Sequence, residues 1–390
     1  MSAAVLRSKS VTVVGLGNIG SQLCDLIARM ADVGRITLID KDSYEPWNLT
    51  SQQLFRSEVG KPKVAVQCRR LKQIRPDLAI EPIHNDVRYV PLGKLRADVV
   101  CTCLDSRIAR QHVNEAVWRL GTPWWIDAGV RADGMLVRVN LYSPAYGGPC
   151  LECGWGPQDY ELIEQVYPCG QGRRTSPTDG PASLEELVAA LQAIECRKDT
   201  GIFPTDAPAS LGALAAALQA IECRKALEGV LDATAAGRQI LIDASANKHY
   251  VSSVRRNPHC RFDHDVWQIR KLGLDPAALT PADLLAKAAE DGVGAGGKLV
   301  LDNRPFVRAV CCPSCGARKK LLRVADQLHP RELACRCGAA MTVSGVDLVR
   351  ELDPGEVGGV AKTLRLGRLG LCSGDVVTIR SGPVRLHYEL

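Results

Sequence analysis

The sequence predicts an α/β protein built on a mostly parallel sheet. Short apolar strands alternate with amphipathic helices over the first 130 residues, and a glycine-rich turn joins the first strand to the first helix. Strands that are connected through helices in this way pack as a parallel sheet with right-handed crossovers. The chain has 390 residues, of which 46% are hydrophobic and 24% charged, which fits an ordinary globular protein of two or three domains.

The predicted elements of this sheet can be placed in chain order. The predicted strands lie at residues 11–14, 35–39, 79–83, 98–103 and 123–127, and the predicted helices lie at 19–31, after Lys61 and at 107–120. The strands are short apolar runs, whereas the helix at 19–31 gathers Leu23, Leu26 and Ile27 on one face. Residues 134–142 alternate apolar and polar side chains and therefore predict an antiparallel continuation. Further strands are predicted at 239–242 and 250–254.

We expect four regions along the chain. They are an α/β domain at 1–262, a helical connector at 263–308, a cysteine-bearing module at 309–345 and a small β tail at 346–390. Pro and Gly punctuate residues 154–180, and a loop of this length is usually functional. Residues 177–225 contain a duplicated helix, because nearly the same text returns 27 residues later. Two copies are too few for a solenoid, so we interpret the first copy as an insert.

Composition excludes several classes of protein. The net charge of +6 is spread along the chain with no basic stripe among aromatic residues, which argues against a nucleic-acid partner. No run approaches the roughly 20 apolar residues of a membrane span. Ten residues before the first strand leave no room for a signal peptide, so we expect a cytoplasmic protein. In that setting, 16 cysteines indicate metal ligands and reactive thiols rather than disulfides.

The glycine turn has the spacing of a nucleotide-binding loop. Gly15, Gly17 and Gly20 form the pattern G-x-G-x-x-G between a strand and a helix, and Asp40 ends the second strand twenty residues later. The glycines let the backbone approach phosphate, the helix N-terminus attracts negative charge, and the carboxylate can bind ribose hydroxyls. This predicts a Rossmann-like site. The alternative is a tight turn with no ligand.

More motifs follow the glycine turn in a fixed order. They are Asp40-x-Asp42, Asn48-Leu-Thr-Ser-Gln52, Gly60-Lys-Pro-Lys63, Asp105 with Arg110 five residues later, and Cys150-x-x-Cys153. This ordered set, over about residues 8–262, resembles the superfamily of ThiF, MoeB, HesA and the ubiquitin-activating (E1-like) enzymes.

The resemblance implies an enzyme that uses ATP and Mg to adenylate a protein's C-terminal carboxylate. The implied protein substrate is a ubiquitin-like or sulfur-carrier protein ending in Gly, and the implied acceptor is an E2-like protein or a sulfurtransferase. A homodimer is also implied. A catalytically weak or inactive scaffold that binds a ubiquitin-like partner is the first alternative. An NAD-dependent zinc oxidoreductase is the second, but it leaves the motifs between Asn48 and Arg110 unexplained.

The resemblance also implies roles for individual residues. Gly15, Gly17, Gly20, Asp40 and Asp42 would bind the nucleotide, while Asn48 and Gln52 would orient phosphate or ribose. Lys63 would be the phosphate cation, Asp105 would hold Mg, and Arg110 would support the Asp105 loop or the phosphates. The alternatives are a solvated Lys63 and an Asp105 that only caps a helix.

One position departs from the family pattern. The family has Arg where this chain has Ser51, and that Arg would contact the phosphates. Arg56, one helical turn later, is a candidate substitute. Arg7 is the other, because the family often takes an N-terminal Arg from a dimer mate. If neither serves, adenylation is weak or lost.

The paired cysteines predict two zinc sites. Cys150 and Cys153 have knuckle spacing, and Cys260 with His264 can complete a four-ligand set in which His259 is the rival fourth ligand. Cys312, Cys315, Cys335 and Cys337 form a second set, which resembles a zinc ribbon and has Cys311 as an alternative ligand. Pairing Cys150 and Cys153 with Cys312 and Cys315 is a weaker possibility, because it leaves the last pair without partners.

A single cysteine lies in the predicted long loop. Cys169 is followed by two arginines, Arg173 and Arg174, which can lower a thiol pKa. The family keeps a cysteine in this loop, which implies that Cys169 accepts the activated acyl group as a thioester. An exposed bystander thiol is the alternative.

Overall fold

The computed structural model describes residues 8–161, 208–293, 296–302, 304–353 and 360–390. The chain forms two compact units. Unit 1 takes Met1–Val90 and Leu95–Val266, and unit 2 takes Pro91–Lys94 and Trp267–Leu390.

Unit 1 is built on an eight-stranded sheet with the order β3-β2-β1-β4-β5-β6-β7-β8. Its strands are β1 (Lys9–Val14), β2 (Val33–Asp40), β3 (Ala79–His84), β4 (Val99–Thr102), β5 (Trp124–Arg131), β6 (Leu136–Tyr142), β7 (Arg238–Asp243) and β8 (Lys248–Ser253). Strands β1 to β5 pair in parallel, and β6, β7 and β8 continue the sheet in antiparallel fashion. The predicted α/β fold with a mostly parallel sheet is confirmed.

The helices of unit 1 connect and cover these strands. They are α1 (Gly20–Ala28), α2 (Lys63–Ile74), α3 (Arg107–Arg119), α4 (Pro157–Glu161) and α5 (Ala209–Leu227). Strand β4 is buried along its whole length, as expected for a parallel strand in the middle of a sheet. Helix α5 packs on α1 in the same core. Gly212 permits this approach, because a Cβ there would lie 2.0 Å from Asn18 Oδ1.

Unit 2 contains two smaller sheets. Its strands are β9 (Ile269–Lys271), β10 (Lys298–Val300), β11 (Phe306–Cys311), β12 (Arg318–Val324), β13 (Leu348–Val349), β14 (Glu351–Leu352), β15 (Val376–Ser381) and β16 (Val384–Glu389), and its helices are α6 (Pro281–Glu290), α7 (Val360–Thr363) and α8 (Leu366–Leu369). One sheet has the order β14-β10-β15-β16-β9, and the other has the order β12-β11-β13.

The predicted helical connector at 263–308 differs from the structure. It contains one helix, α6, but also β9, β10 and the start of β11. Strands β9 and β10 have three residues each and pair with β16 and β15, which are about 80 or more residues away in the chain. Such short strands carry no local periodicity, so the pattern could not reveal them. The connector and the predicted β tail share one hydrophobic core rather than forming separate regions.

Several predicted features fall outside the described residues. They include Arg7, the part of the predicted long loop that carries Cys169, and the first copy of the duplicated helix. The second copy forms α5, and its Cys223 is fully buried. Within the described ranges, none of the helices combines the length and the apolar character needed to cross a membrane.

The strand–helix turn gives a prediction about stability. Gly20→Ala should destabilise the fold by about 3 kcal/mol, because the new Cβ would lie 1.9 Å from the Gly15 carbonyl oxygen, which is backbone and cannot rotate away. Gly17→Ala is the matched control. Its Cβ would have Gln52 Nε2 at 3.9 Å as nearest neighbour, so the free energy of unfolding should change by less than about 1 kcal/mol. Urea unfolding of both variants checks this, and equal midpoints would contradict it.

Candidate nucleotide and metal sites

The glycine turn lies at the carboxyl ends of β1 and β2. Gly15 has a φ of +87°, and a Cβ there would lie 2.5 Å from the Cys103 carbonyl oxygen, so only glycine fits. One carboxylate oxygen of Asp40 accepts a hydrogen bond from Leu16 N at 2.6 Å, and the other accepts from Asp42 N at 2.7 Å. Burial raises the pKa of Asp40, and the nearby Lys63 opposes the shift. Asp40 therefore fixes the turn beside the N-terminus of α1.

Lys63 and two acidic residues form a charged rim next to this turn. Lys63 begins α2 and is only 7% exposed, and its Nζ lies 3.3 Å from Asp42 Oδ2. Protein atoms packed around Asp105 raise its pKa although its side chain reaches solvent, while Arg110 and Lys63 oppose the shift. Asp42 and Lys63 thus lie within electrostatic reach of both Asp40 and Asp105.

The rim residues argue against two alternatives that the sequence left open, a solvated Lys63 and an Asp105 that only caps a helix. The buried position of Lys63 does not fit a solvated surface lysine. The N-cap of α3 is Ser106, whose Oγ accepts from Ala109 N at 3.4 Å, so Asp105 is not the capping residue. Asp105 is exposed, so a cation can reach this residue from solvent.

Asn48 lies on a short 3₁₀ segment, Pro46–Thr50, and Gln52 lies two residues after its end. Asn48 is buried, and its Oδ1 accepts from Glu45 N at 2.9 Å, which holds the segment in shape. Gln52 Oε1 is buried and has no hydrogen-bond partner among the described residues. A buried polar atom left unpaired is costly, and a ligand hydroxyl at this position would satisfy it. Together with the open space over Gly17, this observation fits a bound nucleotide.

Ser51 lines a cavity of about 240 Å³ next to Gln52. Arg56, the predicted substitute for the missing arginine, is exposed and is not among the residues that line this cavity. Arg70 does line it, and sequence reasoning missed this residue. The guanidinium of Arg70 donates to both Asp25 carboxylate oxygens at 2.9 and 3.0 Å and to Gln53 Oε1 at 2.9 Å.

Arg110 is anchored by a carboxylate that the sequence analysis did not select. Its Nε donates to Asp127 Oδ1 at 3.2 Å, and Asp127 is fully buried on β5. The same oxygen accepts from Thr102 Oγ1 at 2.6 Å. This contact fits the first of the two expected roles of Arg110, support of the loop that carries Asp105. The only sequence signal was an acidic residue within an apolar strand.

Gln219 fixes the register of α5 on the sheet. Its Nε2 donates to the carbonyl oxygens of Thr102 at 3.1 Å and Ile126 at 2.7 Å, and its Oε1 accepts from Cys103 Sγ at 3.2 Å. In the sequence, the only sign of this role is that Gln219 is a polar residue within an alanine-rich helix. Hydrogen bonds therefore hold the helix that follows the predicted loop on the end of β4 and on β5.

The first predicted ligand set is assembled in unit 1. The ligand atoms of Cys150, Cys153, Cys260 and His264 all lie within 4.8 Å of one another. Cys150 Sγ is 3.6 Å from Cys260 Sγ, and Cys153 Sγ is 3.2 Å from His264 Nε2. His264 has a φ of +61°, a costly conformation for this residue. His259, the rival ligand, is exposed and outside this group. Three sulfurs and one imidazole nitrogen so arranged fit tetrahedral zinc.

The second predicted ligand set is assembled in unit 2. Cys312, Cys315, Cys335 and Cys337 also lie within 4.8 Å of one another by their sulfur atoms. Gly316 N donates to the Cys312 carbonyl and Gly338 N donates to the Cys335 carbonyl, each at 3.0 Å, and both glycines have a positive φ. The two turns are therefore similar although one has a residue fewer. Cys311, the alternative ligand, pairs with Thr342 through its backbone and is outside the group.

Comparison with known proteins places the chain in a family. The ThiF family model matches residues 2–262. The sulfur carrier protein ThiS adenylyltransferase of Escherichia coli K12 is 31% identical over 196 residues, which cover 50% of this chain and 72% of that protein. The molybdopterin-synthase adenylyltransferase of the same organism is 29% identical over 197 residues, which cover 50% and 73%.

More distant matches extend this picture. The adenylyltransferase and sulfurtransferase UBA4 of Yarrowia lipolytica is 28% identical, and the match covers 51% of this chain but only about half, 48%, of that protein. The solved structure of E. coli MccB with ATP has a TM-score of 0.46 and 24% identity over 66% of this chain and 67% of that chain, too distant to carry an argument about function. Because the family model covers well over half of the sequence, the chain belongs to the ThiF family, whose relatives named above are adenylyltransferases.

Proposed function

We propose that this chain adenylates the C-terminal carboxylate of a ubiquitin-like or sulfur-carrier protein, with ATP as its second substrate. The observation that carries the proposal is the charged rim of Asp42, Lys63 and Asp105 beside the glycine turn. Membership of the ThiF family supports it, as do relatives named for the adenylylation of ThiS and for molybdopterin synthase.

The chemistry explains the residue types at the rim. A carboxylate oxygen of the carrier attacks the α-phosphorus of ATP, the bond to the bridging oxygen breaks, and pyrophosphate leaves with that electron pair. Negative charge gathers on the phosphate oxygens, so cations and amide dipoles lower the barrier. Lys63 and the N-terminus of α1 supply that charge from the protein. Mg, held by Asp105, would neutralise phosphate charge further.

The remaining residues of the site would hold the nucleotide. Gly15, Gly17 and Gly20 let the backbone approach the phosphates. Asp40 uses one lone pair on each oxygen for backbone N–H groups, which leaves acceptor capacity for ribose hydroxyls. Asn48 and Gln52 would orient phosphate or ribose, and Gln52 Oε1 would thereby gain the partner it lacks.

Both four-residue ligand sets are proposed to hold structural zinc. Neither group has the open position that a catalytic zinc keeps, because each already supplies four ligands. The first would fix the chain after β6 to the chain after β8, and the second would close the turn region of the β11–β12 hairpin.

The later steps and the assembly are proposals from the family. Cys169 would accept the acyl group as a thioester before transfer to an E2-like protein or a sulfurtransferase, and the enzyme would act as a homodimer. The scaffold alternative, in which the carrier is bound but not adenylated, is favoured by one observation. Ser51 replaces the family arginine, and the exposed Arg56 does not line the cavity beside it.

Asp105→Ala should abolish ATP–pyrophosphate exchange and leave the melting temperature unchanged. The proposed role is local and electrostatic, and the side chain contributes little packing because it reaches solvent. Asp77→Ala, which removes another exposed carboxylate, is the matched control and should retain exchange. Exchange measured with candidate carriers ending in Gly-Gly checks both variants. Full activity in Asp105→Ala would reject the assignment.

Arg56→Ala should slow exchange about a hundredfold if Arg56 substitutes for the missing arginine, the scale expected for losing one preorganised contact to the transition state. Arg29→Ala, at another exposed arginine at the end of α1, should have no effect. Steady-state exchange kinetics measure both. If the parent is active and Arg56→Ala has unchanged rates, Arg56 does not replace the family arginine. The contact to the phosphates would then come from Arg7, Arg70 or another chain.

The parent chain should contain two zinc ions, and Cys312→Ser should retain one. The two ligand sets lie in different units, so loss of one ligand should release only its own ion. Cys372→Ser, at an exposed cysteine outside both sets, should retain two. Elemental analysis of the purified proteins decides the matter, and a single zinc in the parent would refute the two-site proposal.

A further inference from the structure

Asp127 is a buried carboxylate to which the proposed chemistry assigns no role. It lies on β5 opposite Thr102 of β4 and is 0% exposed. Its Oδ1 accepts from Thr102 Oγ1 and Arg110 Nε, whereas its Oδ2 has no hydrogen-bond partner among the described residues. A carboxylate held this deep in the protein requires nearby positive charge.

Two guanidinium groups supply that charge. Arg110 donates to Oδ1, and Arg138 Nη2 lies 3.9 Å from Oδ2. Gly129, which pairs with Arg138 between β5 and β6, leaves room for them, because a Cβ there would lie 3.1 Å from Arg110 Nη2. Asp127 therefore neutralises the charge of Arg110 inside the protein, beside the end of β4.

Chain connectivity brings this cluster close to the proposed cation ligand. Strand β4 ends at Thr102, Asp105 follows three residues later, and Arg110 lies in the first turn of α3. Arg110 and Asp105 have opposite charges and flank the N-cap Ser106, Asp105 directly before it and Arg110 in the first turn after it. If Asp127 did not neutralise Arg110, that guanidinium would compete with a divalent cation for the Asp105 carboxylate.

We propose that Asp127 is a positioning residue for the divalent-cation site. It holds Arg110 against β5 beside the end of β4 and neutralises its charge, so that the Asp105 carboxylate stays available for the cation. This inference rests on the proposed function, since it takes Asp105 as the cation's ligand.

Mn²⁺ binding in the presence of α,β-methylene ATP, followed by electron paramagnetic resonance, tests the proposal without turnover. Asp127→Asn keeps the shape of the side chain and removes its charge, so Mn²⁺ affinity should fall about tenfold, the effect of roughly one pKa unit of interaction. Adding Arg110→Gln removes the freed guanidinium and should recover part of the affinity, because the competing charge is gone although the loop loses the support of Arg110. A purely structural role predicts no recovery, because the second change removes another buried contact.

Asp243→Asn is the matched control. Asp243 is also buried, at the end of β7, where its Oδ1 accepts from Ser245 and Ala246. This change should leave Mn²⁺ affinity unaltered whatever it does to stability. Asp127→Ser is a second uncharged variant, and failure of both Asp127 variants to fold would assign the residue to the fold and overturn the proposal.

The outcomes separate the two proposals. A parent that binds no Mn²⁺ with the nucleotide analogue would contradict the proposed function. A parent that binds normally, with Asp127→Asn binding equally well or with no recovery in the double variant, would overturn only the role of Asp127.

Discussion

The close approach of α1 to the strand–helix turn is the constraint on which the rest of unit 1 depends. Gly20 touches the Gly15 carbonyl and Gly15 touches the Cys103 carbonyl, so two strand ends and a helix N-terminus meet at van der Waals distance. A side chain at either position would push them apart. The helix dipole, the end of β2 with Asp40 and the loop after β4 are thereby gathered at one edge of the sheet.

Charge at this edge is arranged at two depths. An outer group, formed by Asp40, Asp42, Lys63 and Asp105, faces the place where a nucleotide would bind. An inner group consists of the buried Arg110 and Asp127 and the partly buried Arg138. Parallel strands make this possible, since their carboxyl ends lie side by side and each contributes the first residues of its own loop. The contact with Asp127 keeps the guanidinium of Arg110 in place, while Asp42 and Asp105 are exposed.

The two ligand sets have a different role, because each brings together segments of irregular chain. Cys150 and Cys260 are 110 residues apart, and a shared ion would restrict the unfolded chain strongly. In unit 2, short glycine-containing turns aim pairs of sulfurs at one point with little regular structure around them. A structural zinc would contribute most to stability where the hydrophobic core is small, as in the β11–β12 region.

The sequence by itself determined the parallel sheet, the glycine turn with Asp40, both metal-ligand sets and the order of the family motifs. Each of these depends on local spacing, which one stretch of chain records. Tertiary structure alone decided the pairing of Arg110 with Asp127, the shared cavity of Arg70 and Ser51, and the hydrogen bonds of Gln219 to β4 and β5. It also decided the five-stranded sheet of unit 2, because strands β9 and β10 exist only through partners far along the chain. Contacts between residues distant in sequence leave no periodic trace, so packing had to reveal them.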